Sequence, residues 1–235
     1  MLPLLQRFGS DLLHLFYPHT CAGCGSDLLP LNESICISCY TRLPETGFPA
    51  WPRNPVEQLF YGRIPVQEAA ALYYFSKHAV LRHLIHALKY KGNQEAGLQL
   101  GRWMGQALRT SGRFRDIDCI VPMPLFPERL QRRGYNQAAL LCRGMAEQDQ
   151  LPVVENAVVR RHPTETQTRK SRSERWENVR DSFGCDDAAT LANRHVLLVD
   201  DVVTTGATLE ACGSAVLTVP GCRLSVFTLA WASDD

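Results

Sequence analysis

The stretch HVLLVDDVVTTGATL, residues 195–209, constrains the fold of this chain more than any other. It begins as a nearly continuous apolar run, which is typical of a strand buried on both faces of a parallel sheet. Two adjacent carboxylates, Asp200 and Asp201, end the run, and a loop of small residues leads into a helical pattern. Because apolar strands alternate with helical patterns elsewhere too, we expect an α/β fold with helices on both faces of a parallel sheet.

Hydrophobic periodicity predicts the positions of the other elements. Strands are expected at residues 66–75, 118–124, 157–161, 195–201 and 223–231. Helices are expected around residues 80–88 and 97–105, and over 136–148, 173–179 and 207–219. The second helix carries glycine at every fourth position, at Gly97, Gly101 and Gly105, which indicates that another helix packs closely against that face.

Four of the nine cysteines follow the pattern C-x2-C-x11-C-x2-C, at Cys21, Cys24, Cys36 and Cys39. Two such pairs complete a four-thiolate shell, whose usual occupant is Zn2+. An iron–sulfur cluster needs the same four thiolates, so the spacing leaves the identity of the metal open. The remaining alternative is four free thiols, or a redox pair, in a small loop-rich segment. Because protein ligands fill every position, we expect a structural rather than a catalytic site. The other five cysteines occur singly and are interpreted as small buried hydrophobic residues.

Composition changes near residue 60. Prolines at positions 44, 49, 52 and 55 argue against a regular helix or central strand, so this stretch is predicted to be a linker. We therefore divide the chain into two parts. Residues 1–60 hold a short amphipathic helix, the four-cysteine module and the linker, and residues 61–235 form the α/β domain.

The charge balance argues against nucleic acid and membrane as general partners. The chain has 25 basic and 24 acidic residues, and its first 60 residues are slightly acidic. A nucleic-acid-binding module should carry a basic patch, so no sequence-specific DNA contact is expected. No apolar run approaches the roughly 18 residues that span a bilayer. The first twenty residues lack the basic start of a signal peptide, so we expect a cytoplasmic protein.

The loop after Asp201 has the properties of a phosphate site. Gly206 and the start of the following helix direct backbone N–H groups and the positive end of the helix dipole at one spot. The two aspartates are suitable acceptors for a pair of sugar hydroxyls, so together these features predict a ribose-5-phosphate site. Neither G-x4-G-K-[ST] nor G-x-G-x-x-G after a strand occurs, which argues against an ATPase or a dinucleotide site. The alternative is an ordinary helix cap with incidental aspartates, although unpaired buried charge is costly.

VLLVDDVVTTGAT resembles the phosphoribosyl-pyrophosphate (PRPP) binding motif of type I phosphoribosyltransferases. The resemblance implies that Asp200 and Asp201 hold the ribose hydroxyls. It also implies that the 5′-phosphate is cradled by Thr204, Thr205, Gly206, Ala207 and Thr208.

Two further segments are similar to the competence ComF family, also called the GntX family. They are IVPMPLFPERLQRRGYNQ at 120–137 and TETQTRKSRSERWENVRDSF at 164–183. The four-cysteine module is the family's other hallmark, so the resemblance covers essentially the whole chain.

Six arginines are candidate catalytic residues under this resemblance. The pyrophosphate loop would contain Arg129, Arg132 and Arg133, whose forked guanidinium groups match phosphate geometry. The flexible loop that closes over PRPP would contain Arg169, Arg172 and Arg175. Residues 160–180 hold six arginines and one lysine against three glutamates. The alternative for this basic stretch is a solvated surface.

The resemblance implies transfer of a phosphoribosyl group from PRPP, with Mg2+, to an unidentified acceptor. It also implies a link to DNA uptake or to the use of DNA as a nutrient, with possible protein partners of DNA uptake. Residues 21–60 are our candidate for the hood that covers the acceptor. The alternative is an accessory protein of DNA uptake or processing that binds PRPP or a nucleotide containing ribose-5-phosphate without turnover.

Overall fold

A four-stranded parallel sheet forms the centre of the protein. The computed structural model describes residues 20–30, 33–76, 79–161 and 182–233. The sheet consists of β1 (Val66–Tyr74), β6 (Arg223–Trp231), β5 (His195–Val203) and β2 (Cys119–Pro122), in that spatial order. Every neighbouring pair is parallel. Strands β5 and β6 are buried along most of their length, as their continuous apolar runs predicted.

The described helices connect and cover these strands. In chain order they are α1 (Ile37–Tyr40), a 3-10 turn (Phe48–Ala50), α2 (Pro55–Gln58), α3 (Val80–Tyr90), α4 (Gln94–Thr110), α5 (Pro127–Arg133), α6 (Gln137–Asp149), α7 (Ala188–Leu191) and α8 (Ala207–Leu217). The long helices agree with the sequence prediction, and the α/β fold class is confirmed. The short helix α5, which begins at a proline, was not predicted.

Strand β3 (Val158–Arg160) lies outside the parallel sheet. It pairs antiparallel with β4 (Phe183–Cys185), a strand that was not predicted from the sequence. Strand β4 has a glycine at its centre, whereas the equally short β3 contains two β-branched valines, which explains why only β3 gave a sequence signal. A parallel bridge between Ile120 and Val153 adds a short further contact at the β2 edge of the main sheet.

Helices α4 and α6 approach each other closely at two glycines. A Cβ atom on Gly101 would lie 2.3 Å from the carbonyl oxygen of Leu141, and one on Gly144 would lie 2.2 Å from that of Leu98. Both carbonyl oxygens belong to the backbone, so a side chain at either glycine would force the two helices apart. The close packing predicted from the glycine spacing is confirmed at Gly101.

The proline-rich segment packs into the core. Phe48 and Phe60 are almost completely buried. Asn54 caps α2 by accepting from two backbone N–H groups, and its amide donates to the carbonyl of Ala69 at 2.7 Å. Pro55 occupies the first turn of α2, where the missing N–H costs nothing. The expectation that this segment contains no regular helix is therefore wrong for one turn, while the division at residue 60 stays a prediction.

Two predicted helices lie outside the described residues, one near the start of the chain and one at 173–179. Among the helices of the described ranges, none is both long and apolar enough to cross a membrane.

Candidate functional site

Asp200 and Asp201 lie near the carboxyl end of β5, at the centre of the parallel sheet. Asp201 is nearly buried and Asp200 is partly buried. The backbone N–H of Asp201 donates to Oδ1 of Asp200 at 2.8 Å. Burial and the neighbouring charge of Asp201 raise the pKa of Asp200 to about 7. Ligands of open α/β sheets bind at this edge, so the acids stand where a substrate is expected.

Lys89, in the last turn of α3, is the charge partner of this acid pair. Its Nζ atom lies 2.7 Å from Oδ2 of Asp201, and its side chain is about a quarter exposed. The pairing offsets part of the cost of burying Asp201. Lys89 could not be identified from the sequence, because a lysine near the end of an amphipathic helix is common and carries no functional signal.

The loop after β5 has the backbone shape that a phosphate cradle needs. Gly206 has a φ of +75° and precedes the first turn of α8. The first turn of any helix leaves backbone N–H groups without intrahelical partners. Thr204, Thr205 and Thr208 are exposed around this point, so their hydroxyls are accessible to a ligand.

The segment between α2 and β1 supports this loop from behind. A Cβ on Gly206 would lie 3.3 Å from the Phe60 ring and 3.4 Å from Cβ of Leu59. Arg63 donates through Nη1 to the carbonyl of Thr205 at 3.0 Å, and Nη2 forms an ion pair with Glu210. The end of the region proposed as a hood therefore contacts the loop directly.

The segment 123–136 begins and ends next to the acid pair. The backbone N–H of Met123 donates to the carbonyl of Val199 at 2.8 Å. Asn136 caps α6 and donates through its amide to the carbonyl of Met123 at 3.0 Å. Gly134 ends α5 with a φ of +81°. In the R-G-Y-N-Q pattern, the glycine thus ends α5 and the asparagine holds the start of α6 against the end of β2.

Arg132 and Arg133 lie together with Lys89 at one cavity. The cavity has a volume of about 240 Å³ and is lined by Lys89, Tyr90, Gly92, Arg132, Arg133 and Tyr135. The guanidinium of Arg133 lies 5.7 Å from the centre of the Tyr90 ring and also donates to Gln137. The Tyr135 hydroxyl donates to the carbonyl of Leu88, which holds the end of α3 in place. Three cations at one concave surface suit a phosphate-rich ligand.

Arg129 does not line this cavity. It is exposed on α5. Burial, followed by the positive charge of Arg129, lowers the pKa of Arg160, while the charge of Asp200 acts in the opposite direction. Arg160, at the end of β3, therefore belongs to the electrostatic surroundings of the acid pair, a role that was not predicted from the sequence. Arg169, Arg172 and Arg175 lie outside the described residues, so their role in loop closure stays a prediction.

The four predicted metal ligands converge. The sulfur atoms of Cys21, Cys24, Cys36 and Cys39 all lie within 4.8 Å of one another. Two of the sulfur–sulfur distances, Cys21–Cys39 and Cys24–Cys36, are 3.7 Å. Tetrahedral zinc with bonds of about 2.3 Å to sulfur requires sulfur–sulfur distances of about 3.8 Å, so the cluster fits that ion.

Two thiols of this cluster, those of Cys21 and Cys39, have perturbed pKa values. Burial raises the pKa of Cys21, but backbone N–H groups that include those of Cys36 and Gly23 outweigh this and lower it to about 6. Burial and the three neighbouring sulfurs raise the pKa of Cys39 to about 12. Thiolates at this spacing repel one another, and a bound divalent cation would offset this repulsion.

The cysteine module is attached to the helices that carry the candidate site. A Cβ on Gly23 would lie 2.9 Å from Cγ1 of Val80 on α3. The Gln99 side chain on α4 accepts from the backbone N–H groups of Ser34 and Ile35 at 2.8 and 3.0 Å. Helix α3 therefore contacts the module near its start and reaches Asp201 through Lys89 near its end.

Comparison with known proteins identifies the family. The phosphoribosyl transferase domain matches residues 130–233. The DNA utilization protein YhgH of Escherichia coli K12 is 30% identical over 227 residues, which cover 92% of this chain and 98% of that protein. The chain belongs to the ComF family. Competence protein F of Haemophilus influenzae is 29% identical, with coverage of 83% of this chain and 89% of the relative. Competence protein ComFC of Bacillus subtilis is 32% identical, with coverage of 81% of this chain and 80% of the relative.

Solved structures give a weaker likeness to this ComF-family chain. The glutamine PRPP amidotransferase of B. subtilis, complexed with ADP and GMP, superposes with a TM-score of 0.41 at 16% identity. The match covers 58% of this chain and 26% of that longer protein. The HGPRT-ase of Leishmania tarentolae in complex with GMP has a TM-score of 0.30 at 19% identity. This match covers 57% of the present chain and 66% of the Leishmania protein.

Proposed function

We propose that this ComF-family protein binds PRPP and transfers its phosphoribosyl group to an acceptor. One observation carries the proposal. An acid pair that is buried at Asp201 and partly buried at Asp200 lies at the carboxyl edge of the sheet, next to a helix N-terminus behind a left-handed glycine. Lys89 joins this pair to a cavity lined by three cations. These groups suit, in order, the ribose hydroxyls, the 5′-phosphate and the pyrophosphate of one PRPP molecule.

The chain's own residues divide the work of binding. The carboxylates of Asp200 and Asp201 accept hydrogen bonds from the ribose hydroxyls and so orient the sugar ring. Backbone N–H groups from Thr204 to Thr208 hold the 5′-phosphate at the positive end of α8. Lys89, Arg132 and Arg133 neutralise the pyrophosphate, and their charges stabilise it as it leaves.

The proposed reaction needs no protein nucleophile. The bond between ribose C1 and the pyrophosphate oxygen breaks, and pyrophosphate leaves with the electron pair. An acceptor atom bonds to C1 through its lone pair and gives up its proton to the departing pyrophosphate or to solvent. The enzyme acts by positioning the reactants and by stabilising charge. The oxygen-rich donor set at Asp200 and Asp201 suits Mg2+, which when bound supplies further charge neutralisation to the phosphates.

The names of the relatives suggest the setting of this activity. They are competence proteins and DNA utilization proteins, so we propose a role in the uptake or nutritional use of DNA. We further propose a cytoplasmic location and contact with protein partners of DNA uptake. The four-cysteine cluster is proposed to hold one structural Zn2+.

Titration calorimetry with PRPP and Mg2+ tests the binding site. Asp200→Ala and Asp201→Ala each remove a charged hydrogen-bond acceptor, so we expect a loss of affinity of about ten- to hundredfold. Asp27→Ala, which removes an exposed carboxylate on the cysteine module, serves as the control and should bind like the wild type. Equal affinity in all four proteins would place the PRPP site elsewhere.

Release of pyrophosphate from PRPP across a panel of bases and amines tests turnover. We expect at least one acceptor to support release above the rate without acceptor. Binding of PRPP without release for any acceptor would overturn the transferase activity and favour an accessory protein that binds PRPP only.

A further inference from the structure

Glu210 lies where it should oppose phosphate binding. It is in the first turn of α8, directly after the loop proposed to hold the 5′-phosphate, and only 6% of its surface is exposed. A carboxylate at this position interacts with the same positive helix end that a phosphate would use. Its charge therefore competes with a phosphate dianion at the loop.

Arg63 is the partner of this carboxylate. Its Nη2 atom forms an ion pair with Oε2 of Glu210. Its Nη1 atom donates to the carbonyls of Thr205, at 3.0 Å, and Leu59, at 2.9 Å. One guanidinium thus joins the segment before β1, the phosphate loop and the first turn of α8.

The other carboxylate oxygen of Glu210, Oε1, is buried and has no hydrogen-bond partner among the residues that the structure describes. Buried carboxylates normally accept bonds to both oxygens, because an unsatisfied charged group is costly. Arg63 is therefore the main group that offsets the charge of Glu210.

We infer that Arg63 is a positioning residue for phosphate binding, which acts by neutralising Glu210 so that the loop accepts the 5′-phosphate of PRPP. This inference rests on the proposed function, since it concerns the same loop. It differs from a purely mechanical role, in which Arg63 only braces the carbonyl of Thr205. The two roles predict different behaviour when the charge of Glu210 is removed.

The test measures the affinity for ribose-5-phosphate by titration calorimetry in four proteins: wild type, Arg63→Met, Glu210→Gln and the double variant. Arg63→Met leaves a buried carboxylate unpaired beside the loop, so we expect affinity to fall about tenfold or more. The double variant removes both charges and should bind within about threefold of the wild type. A double variant as weak as Arg63→Met would overturn the inference in favour of the mechanical role.

Glu210→Gln alone keeps the test decisive if Arg63→Met fails to fold. It keeps the shape of the side chain and the Arg63 bonds to the two carbonyls, while it removes the opposing charge. We expect affinity for ribose-5-phosphate to rise about two- to tenfold, and an unchanged or lower affinity would overturn the inference. A wild type that binds neither ribose-5-phosphate nor PRPP would instead defeat the proposed function, and this inference with it.

Discussion

Lys89 and Asp201 form an ion pair of 2.7 Å between the end of helix α3 and the end of the central strand β5. The same helix contacts the cysteine module near its start, where Gly23 lies against Val80. Helix α3 is therefore a direct physical connection between the module and the acid pair.

Replacement of Lys89 tests this connection. Lys89→Met leaves the nearly buried Asp201 without its cation, so we expect a loss of stability of about 1–3 kcal/mol. Affinity for PRPP should fall about tenfold, because the cavity also loses one of its three cations. Thermal unfolding and calorimetry measure the two effects. Lys91→Met, an exposed position two residues later, is the matched control, and equal behaviour of the two variants would contradict the prediction.

Asp200 should make stability depend on pH. Burial and Asp201 raise its pKa from 3.8 to about 7, so between these values the folded state binds more protons than the unfolded state. Stability is therefore lost as pH rises from about 4 to 7. Asp200→Asn removes this penalty, and we expect it to be more stable than the wild type by about 1–3 kcal/mol at pH 8 and no more stable near pH 4.

Asp187 provides a control of opposite sign for the pH experiment. Hydrogen bonds from the side chain and backbone of Thr190 lower its pKa. Its contribution is present above the unfolded pKa and is lost as pH falls through the folded value. Asp187→Asn should therefore be less stable than the wild type near neutral pH, and this difference should shrink in acid. Denaturant unfolding across pH that gave both variants the same sign would refute the assignment.

Arg133 should discriminate between two ligands. It lines the cavity proposed for pyrophosphate, so Arg133→Ala should weaken PRPP binding by about tenfold. Ribose-5-phosphate lacks pyrophosphate, and its affinity should hardly change. Arg115→Ala, at an exposed arginine outside this cavity, is the control. Equal losses for both ligands in Arg133→Ala would mean that residues 122–134 do not recognise pyrophosphate.

The cysteine cluster is expected to hold one Zn2+ per chain. Cys36→Ser replaces a thiolate ligand, and closed thiolate sites contribute about 10–16 kcal/mol of apparent binding energy, so the module should lose both metal and fold. Elemental analysis and thermal unfolding follow these losses. Cys222→Ser, at a half-buried cysteine outside the cluster, should retain the metal. Iron, or no metal, in the purified wild type would contradict the assignment.

Gly101 should tolerate no side chain. The Cβ of Gly101→Ala would lie 2.3 Å from a backbone oxygen of α6, so α4 and α6 must separate. We expect a loss of about 2–3 kcal/mol in the free energy of unfolding. Gln106→Ala, on the exposed face of the same helix, should stay within about 0.5 kcal/mol of the wild type. Denaturant unfolding that failed to separate the two variants would show that the helices can adapt.

Local sequence was sufficient for much of the fold. The strands and long helices of the α/β domain could be predicted from apolar periodicity. Side chains on a buried face recur at fixed intervals along a helix or strand, so they leave a pattern of apolar residues in the sequence. The cysteine cluster follows from spacing, because two short turns place four thiols at one point. Strand β4 was missed because its three residues include a central glycine. Helix α5 was missed because it buries no side chain and therefore shows no apolar periodicity.

The partners of the charged residues were decided only by the tertiary structure. Lys89 with Asp201 and Arg63 with Glu210 are far apart in sequence, and each pair meets because a helix or loop packs against the carboxyl edge of the sheet. An isolated lysine or arginine has no sequence pattern that identifies its partner. The sequence by itself thus determined that an acid pair, a glycine loop and a helix follow one another directly after one strand. Long-range packing determined which cations pair with the carboxylates of Asp201 and Glu210, because charge pairing depends on distance through space and not along the chain.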